Sequence, residues 1–218
     1  MDNEFFDFLK TQVTPRRKKL FEEVAKTRTN HFTVAIEDVG HLHNVSAVMR
    51  SCEAFGVQNL HVVEEEFGKR IDREIAMGAQ KWTTLHRYNA SAKAVEELRS
   101  SGYRIVATTP HKKEKTLADF KISSPAALFL GSEANGLSDQ LLAEADDFIY
   151  IPTYGFTHSL NISVSAAIII QDLMHRLRDS EVNWQLSEEE QNELQLKWLK
   201  KHIKEIDVVI ERFEEKKG

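Results

Sequence analysis

Short apolar runs alternate with helix-spaced segments along the middle of this chain, and that alternation constrains its fold most strongly. Phe32-Thr33-Val34-Ala35-Ile36, Leu60-His61-Val62-Val63, Arg104-Ile105-Val106-Ala107-Thr108, Ala126 to Leu130 and Phe148-Ile149-Tyr150-Ile151 all read as strands. Between the first two, Val45, Val48, Met49, Cys52 and Phe55 recur at helical spacing and stop at Gly56, a residue suited to a helix C-cap. Ser91 to Ser101, Ser138 to Ala145 and Leu160 to Leu177 read as further helices, the last apolar enough to be buried on most sides. This order predicts an α/β domain with a mainly parallel sheet. Ligands of such sheets bind beyond the carboxyl ends of the strands, which points to the loops after Thr108, Leu130 and Ile151.

The two ends have a different character. Phe5, Phe6, Phe8 and Leu9 make a small apolar face, and Pro15 suits the first turn of a second helix reaching about Lys26. Ser187 and Glu190 have the spacing of a capping box, and apolar positions continue from Leu194 to Phe213. The expected organisation is a helical extension over 1–30, the α/β domain over 31–178 and a second helical extension over 179–218. A net charge of −5 weighs mildly against nucleic-acid binding. The charges are segregated, however: Arg16, Arg17, Lys18, Lys19, Lys26 and Arg28 lie near the start, and Glu188, Glu189, Glu190, Glu214 and Glu215 near the end.

Cys52 is the only cysteine, which excludes an intramolecular disulfide and favours a reducing compartment. The first residues lack the order of a signal peptide, and no apolar run approaches membrane-spanning length. The cytoplasm is the expected location, with no membrane association.

Motif by motif, familiar chemistries drop out. Gly131-Ser-Glu-Ala-Asn-Gly136 has phosphate-loop spacing, but Leu137 and Ser138 stand where lysine and Ser/Thr are needed. No G-x-G-x-x-G occurs. His41, His43 and Cys52 do not form a recognised ligand spacing, so no metal is expected. Ser159 and Ser163 lack the nucleophile elbow of a serine hydrolase. What remains is a set of polar residues in apolar settings. Asn44, Ser46 and Arg50 open one helix, and Ser159, Asn161, Ser163 and Ser165 open another. A buried or half-buried guanidinium at Arg50 would need a carboxylate or phosphate partner.

Three blocks, Asn44 to Arg50, Leu130 to Ser138 and Ile151 to Val164, resemble the three motifs of SpoU-type RNA 2′-O-methyltransferases in order and spacing. The resemblance covers roughly residues 14 to 200. It implies the SPOUT fold, an α/β sheet whose C-terminal part forms a deep trefoil knot, and a homodimer. S-adenosylmethionine would be the methyl donor, held by Thr108, Gly131, Ile151, Thr153, Gly155 and Leu160. Arg50 falls on the family's catalytic arginine, and Asn44, Glu133, Ser159 and Asn161 on its other motif residues. Glu133 would orient either Arg50 or the motif loops.

Within the family, the likeness runs to the branch that methylates guanosine 18 in the tRNA D-loop, whose members carry short helices at both ends. Gly78-Ala79-Gln80-Lys81-Trp82 resembles that branch's substrate-side loop, with Gln80 where histidine is common. Lys81 and the basic run Arg16, Arg17, Lys18 and Lys19 are accordingly expected to contact RNA. A ribosomal RNA methyltransferase and a catalytically inactive RNA-binding protein are the rival readings.

Overall fold

The computed structural model describes residues 3–37, 42–64, 72–110, 112, 115–132, 135–157 and 159–215. In chain order the helices and strands begin α1 (Asn3–Thr11), α2 (Pro15–Ala25), β1 (Phe32–Glu37), α3 (Leu42–Phe55), β2 (Asn59–Val63), α4 (Arg73–Ala76) and β3 (Thr84–Tyr88). They continue with α5 (Ser91–Ser100), β4 (Arg104–Thr108), β5 (Ala126–Leu130), α6 (Asp139–Glu144) and β6 (Asp147–Ile149). The last three are α7 (Ile162–Arg178), α8 (Glu188–His202) and α9 (Ile206–Glu215). Two compact units result: Met1–Arg28 with Gln185–Gly218, and Thr29–Trp184.

The first unit draws on both ends of the chain. Thr14 caps α2 by accepting from Arg17 N–H at 3.3 Å, and Pro15 opens the helix as its fixed φ favours. Ser187 and Glu190 form the expected capping box of α8, at 2.7 and 3.2 Å. Phe21 of α2 packs on Trp198 of α8 with ring centroids 5.8 Å apart, and Phe5 and Phe8 of α1 pack on Phe213 of α9 at 5.1 and 5.0 Å. The terminal segments therefore bury their apolar faces against one another, as short amphipathic helices must to be stable.

The second unit is a three-layer α/β/α structure around a six-stranded sheet of order β3-β2-β1-β5-β4-β6. Every neighbouring pair is parallel. β1 is buried along its whole length, which accounts for its near-continuous apolar run. Val34, Ile36 and Leu128 face a layer containing Met49 of α3 and Ile169 and Leu173 of α7. Ala35, Ala107 and Phe129 face the other way, toward Val95 and Leu98 of α5 and Leu141 of α6.

Two features depart from the sequence reading. β3 was not anticipated: it is an edge strand whose residues, Thr84-Leu85-His86-Arg87-Tyr88, are at most half-buried, so it carries no apolar signature. And α7, buried or half-buried on most sides as its apolar run predicts, still leaves one face open. Val164 and Ile168, one turn apart, are 45% and 38% exposed, and Leu160, ahead of the helix, is 36% exposed.

The β2–β3 pairing also buries a polar ladder. His61 and His86 are register partners with rings stacked 4.5 Å apart, and His61 Nδ1 lies 3.1 Å from the Tyr88 hydroxyl. Burial, reinforced by the neighbouring His86, pushes the His61 pKa down to about 3. Because the folded pKa lies below the unfolded value, the unfolded chain binds the extra proton as pH falls through 6.5, and stability declines there. His61 alone is expected to remove about 2 kcal/mol between pH 7 and pH 5. Urea unfolding across that range measures it, and His61→Phe should flatten the slope; equal slopes in both proteins would exclude His61 as the source.

Candidate active site

All six strands being parallel, their carboxyl ends share one edge, and most of the anticipated site residues gather along it. Thr108 closes β4, in register with Leu130 of β5 and Ile149 of β6. Its Oγ1 donates to the Phe129 carbonyl at 2.9 Å, fixing the side chain against the neighbouring strand. Gly131 follows β5 directly, and Ile151 follows β6, packed half-buried against the larger apolar cluster.

The turn after β5 is built on backbone proximity. Ser132 N–H donates to Gly136 O at 3.0 Å, and Gly136 N–H returns to Ser132 O at 2.9 Å. Gly136 has φ +70°, in the region that favours glycine. A Cβ on Gly131 would lie 2.0 Å from the Gly136 carbonyl carbon and 2.2 Å from Leu137 N, so only glycine fits. Ser138 then caps α6 by accepting from Leu141 N–H at 3.2 Å.

Sequence reading missed the residue that fastens this turn. Glu37, the last residue of β1, is 5% exposed. It accepts from Ser138 N–H and Ser138 Oγ–H, both at 2.7 Å, and from the Ser91 hydroxyl at the start of α5. A carboxylate closing a mostly apolar strand was the only available signal, since its partners lie 54 and 101 residues away.

Asn44 and Asn161, 117 residues apart, meet: Asn161 Nδ2 donates to Asn44 Oδ1 at 3.2 Å. Asn161 also caps α7, its Oδ1 accepting from Ser163 N–H at 2.8 Å and Ser163 Oγ at 2.5 Å. One amide thus ties the start of α3 to the start of α7. Ser46, buried in α3, accepts from Asp72 N–H at 2.9 Å, which places the segment entering α4 beside the same helix.

Arg50 corrects an expectation. It is exposed, on the α3 face shared with Ala47 and Ala54, and has no ion pair or hydrogen bond among the described residues. The apolar positions of α3 turn inward at 3.6-residue spacing and leave this face to solvent. An internal carboxylate partner is therefore not needed. Ser159, Thr153 and Gly155 are exposed too, in a segment where Tyr154 is 96% exposed and Phe156 fully so. Lys81 is exposed at the end of the 3-10 turn Ala79–Lys81. In the helical unit, Arg16, Lys18 and Lys19 are exposed, and Arg17 lies over the Phe21 ring. Glu133 lies outside the described residues. Among the described residues no three His, Cys, Asp or Glu side chains are grouped to hold a metal ion.

Residues 31–171, well over half the chain, match the SpoU rRNA Methylase family. The chain belongs to this family. A tRNA (guanosine(18)-2′-O)-methyltransferase of Borreliella burgdorferi is 36% identical to it over 192 residues, spanning 88% of each chain. The solved A. aeolicus TrmH/SpoU tRNA modifying enzyme superposes with a TM-score of 0.78 at 32% identity, over 87% of this chain and 98% of that one. The SpoU methyltransferase AviRb of Streptomyces viridochromogenes, solved with AdoMet, shares the fold at a TM-score of 0.62, 24% identity, 72% of this chain and 62% of that one. In this SpoU-family protein the three motif blocks converge at the sheet edge: the first and third through the Asn44–Asn161 bond, the second as the turn after β5.

Proposed function

We propose that this SpoU-family protein transfers the methyl group of S-adenosylmethionine to the ribose 2′-hydroxyl of guanosine 18 in tRNA. The reading rests chiefly on 36% identity across 88% of both chains with a relative named for that reaction. The residues at the sheet edge suit the donor. Ile151 and Leu160 offer apolar surface, Thr108 and Thr153 offer hydroxyls, and the close backbone of Gly131 and Gly136 presents peptide groups without side chains in the way. Gly155, with open space at its Cα, adds backbone of the same kind.

When bound, S-adenosylmethionine would supply an activated methyl on a sulfonium and leave as the thioether S-adenosylhomocysteine, the 2′-hydroxyl proton passing to solvent, and the protein's part is alignment. A guanidinium is a poor general base. The exposed guanidinium of Arg50 clamps an RNA phosphate and polarises the 2′-hydroxyl, an assignment that needs the solvent-facing position it occupies. Asn44 and Asn161 hold the two helix starts in register, and Ser159 stands two residues before Asn161 in the same segment. Glu133 orients the motif loops or Arg50.

Several properties of the family's resemblance are part of the same proposal. The C-terminal part of the sheet is tied in a trefoil knot, and the protein is a homodimer of the cytoplasm. Val164 and Ile168, exposed one turn apart on α7, lie on the surface a second copy covers, since exposed apolar side chains on one helix face mark interfaces. No helix among the described residues is long and apolar enough to cross a membrane. Lys81 and the run Arg16, Arg17, Lys18 and Lys19 meet tRNA phosphates.

The family's own description names ribosomal RNA, so substrate choice is tested directly. Labelled S-adenosylmethionine is offered with unmodified tRNA and, separately, ribosomal RNA, followed by nucleoside mapping. The expected result is 2′-O-methylguanosine at position 18 of tRNA. Label confined to ribosomal RNA would overturn the substrate, and no label in either would leave an RNA-binding protein.

A further inference from the structure

We infer that Glu37 is a positioning residue that sets donor affinity by clamping shut the turn between β5 and α6. This rests on the reading that S-adenosylmethionine binds against that turn. The near end of the turn needs no clamp. It continues β5, whose Leu130 is held in register with Ile36 of β1. The far end, at Ser138, has no strand to hold it, and Glu37, the residue after Ile36, reaches it from that same strand. Both ends of the turn are thus referred to β1, and its shape follows from two adjacent residues.

The chemistry favours a carboxylate here. One Glu37 oxygen takes the Ser138 N–H, and the other takes the Ser138 and Ser91 hydroxyls. The carboxylate sits at the first residue of α5 and at the N-cap of α6, where helix dipoles favour negative charge. A buried carboxylate satisfied by three donors is a rigid strut, because losing the Ser138 N–H bond would strand one of its oxygens away from water. Ser138 acts at both ends of the device: its Oγ donates to Glu37 and accepts from Leu141 N–H. Clamp and helix start are therefore one unit.

The test compares Glu37→Ala and Glu37→Gln in the full chain, with Gly131→Ala as the control for the turn itself. Affinity is read by calorimetry with S-adenosylhomocysteine, and KM and kcat by methyl transfer to tRNA. Glu37→Ala is expected to raise the S-adenosylhomocysteine Kd and the donor KM at least tenfold, with kcat at saturating donor within threefold and tRNA affinity unchanged. Glu37→Gln should recover most of the loss, because its amide oxygen still accepts the Ser138 N–H and the two hydroxyls can turn to accept from its amide nitrogen. A parallel fall in every parameter for Glu37→Ala, tracking the loss of folded protein, would make the residue merely structural and overturn the inference. Normal donor affinity in Glu37→Ala, with affinity lost in Gly131→Ala, would also overturn it. Normal affinity in both would instead remove the donor from this turn. If Glu37→Ala does not fold, Ser138→Ala carries the test, with a threefold to tenfold weakening expected and an unchanged Kd overturning the inference.

Discussion

Gly131→Ala is expected to weaken S-adenosylhomocysteine binding at least 100-fold while leaving a folded protein. The added Cβ would sit 2.0 Å from the carbonyl carbon of Gly136 and 2.2 Å from its oxygen and from Leu137 N. These are backbone atoms, with no rotamer through which to yield. The turn must therefore open, breaking the paired bonds between Ser132 and Gly136 at 3.0 and 2.9 Å. Overpacking of this kind typically costs about 1–3 kcal/mol, which a sheet buried on both faces can absorb. The turn lies beyond β5, so the strand order should survive. In Gly155→Ala the added Cβ would meet nothing nearer than Thr157 N at 4.0 Å, so any loss of binding there reports a side chain in the donor's way and not a displaced backbone. Calorimetry and thermal melts on the two variants separate the effects. Normal binding by Gly131→Ala would place the donor elsewhere.

Arg50→Ala is expected to lower turnover by 100-fold or more without changing thermal stability or donor affinity. Losing one preorganised group that stabilises a transition state costs roughly 2.7–4 kcal/mol, or 100- to 1000-fold in rate. The stability half of the expectation follows from position. Arg50 is exposed and makes no ion pair or hydrogen bond among the described residues, so truncation strands no buried partner. Arg50→Lys should recover little, because a lysine ammonium does not reproduce a planar two-point grip on phosphate. Single-turnover methyl transfer to tRNA, with calorimetry in parallel, reads all three quantities. Unimpaired turnover in Arg50→Ala would remove the arginine from the chemistry.

Much of the scaffold could be read directly from the chain. β1, β2, β4, β5 and β6 all lie within the anticipated runs or one residue from them, because each is buried on at least one face and carries an apolar signature. β3 could not be read that way. Its alternation of His86, Arg87 and Tyr88 follows from pairing on one side only, at the edge of the sheet. The helix caps at Thr14, Ser138, Asn161 and Ser187 are local, their side chains and the N–H groups they accept lying within three residues of each other, and of these the Ser187–Glu190 box was anticipated. Sequence shows such bonds because chain connectivity already brings the partners together.

What the sequence by itself determined was therefore everything governed by short-range periodicity and local hydrogen bonding: the α/β class, most elements, the helix starts and the motif blocks of the family. Tertiary structure alone decided which distant polar groups meet. The Asn44–Asn161 bond spans 117 residues and the Glu37–Ser138 clamp spans 101. It also decided that Arg50 faces solvent and that α7 leaves Val164 and Ile168 uncovered. A single side chain's burial depends on what packs against its helix from elsewhere in the chain. Strand order sets that neighbour, and strand order is an outcome of the whole sheet closing, written in no local pattern.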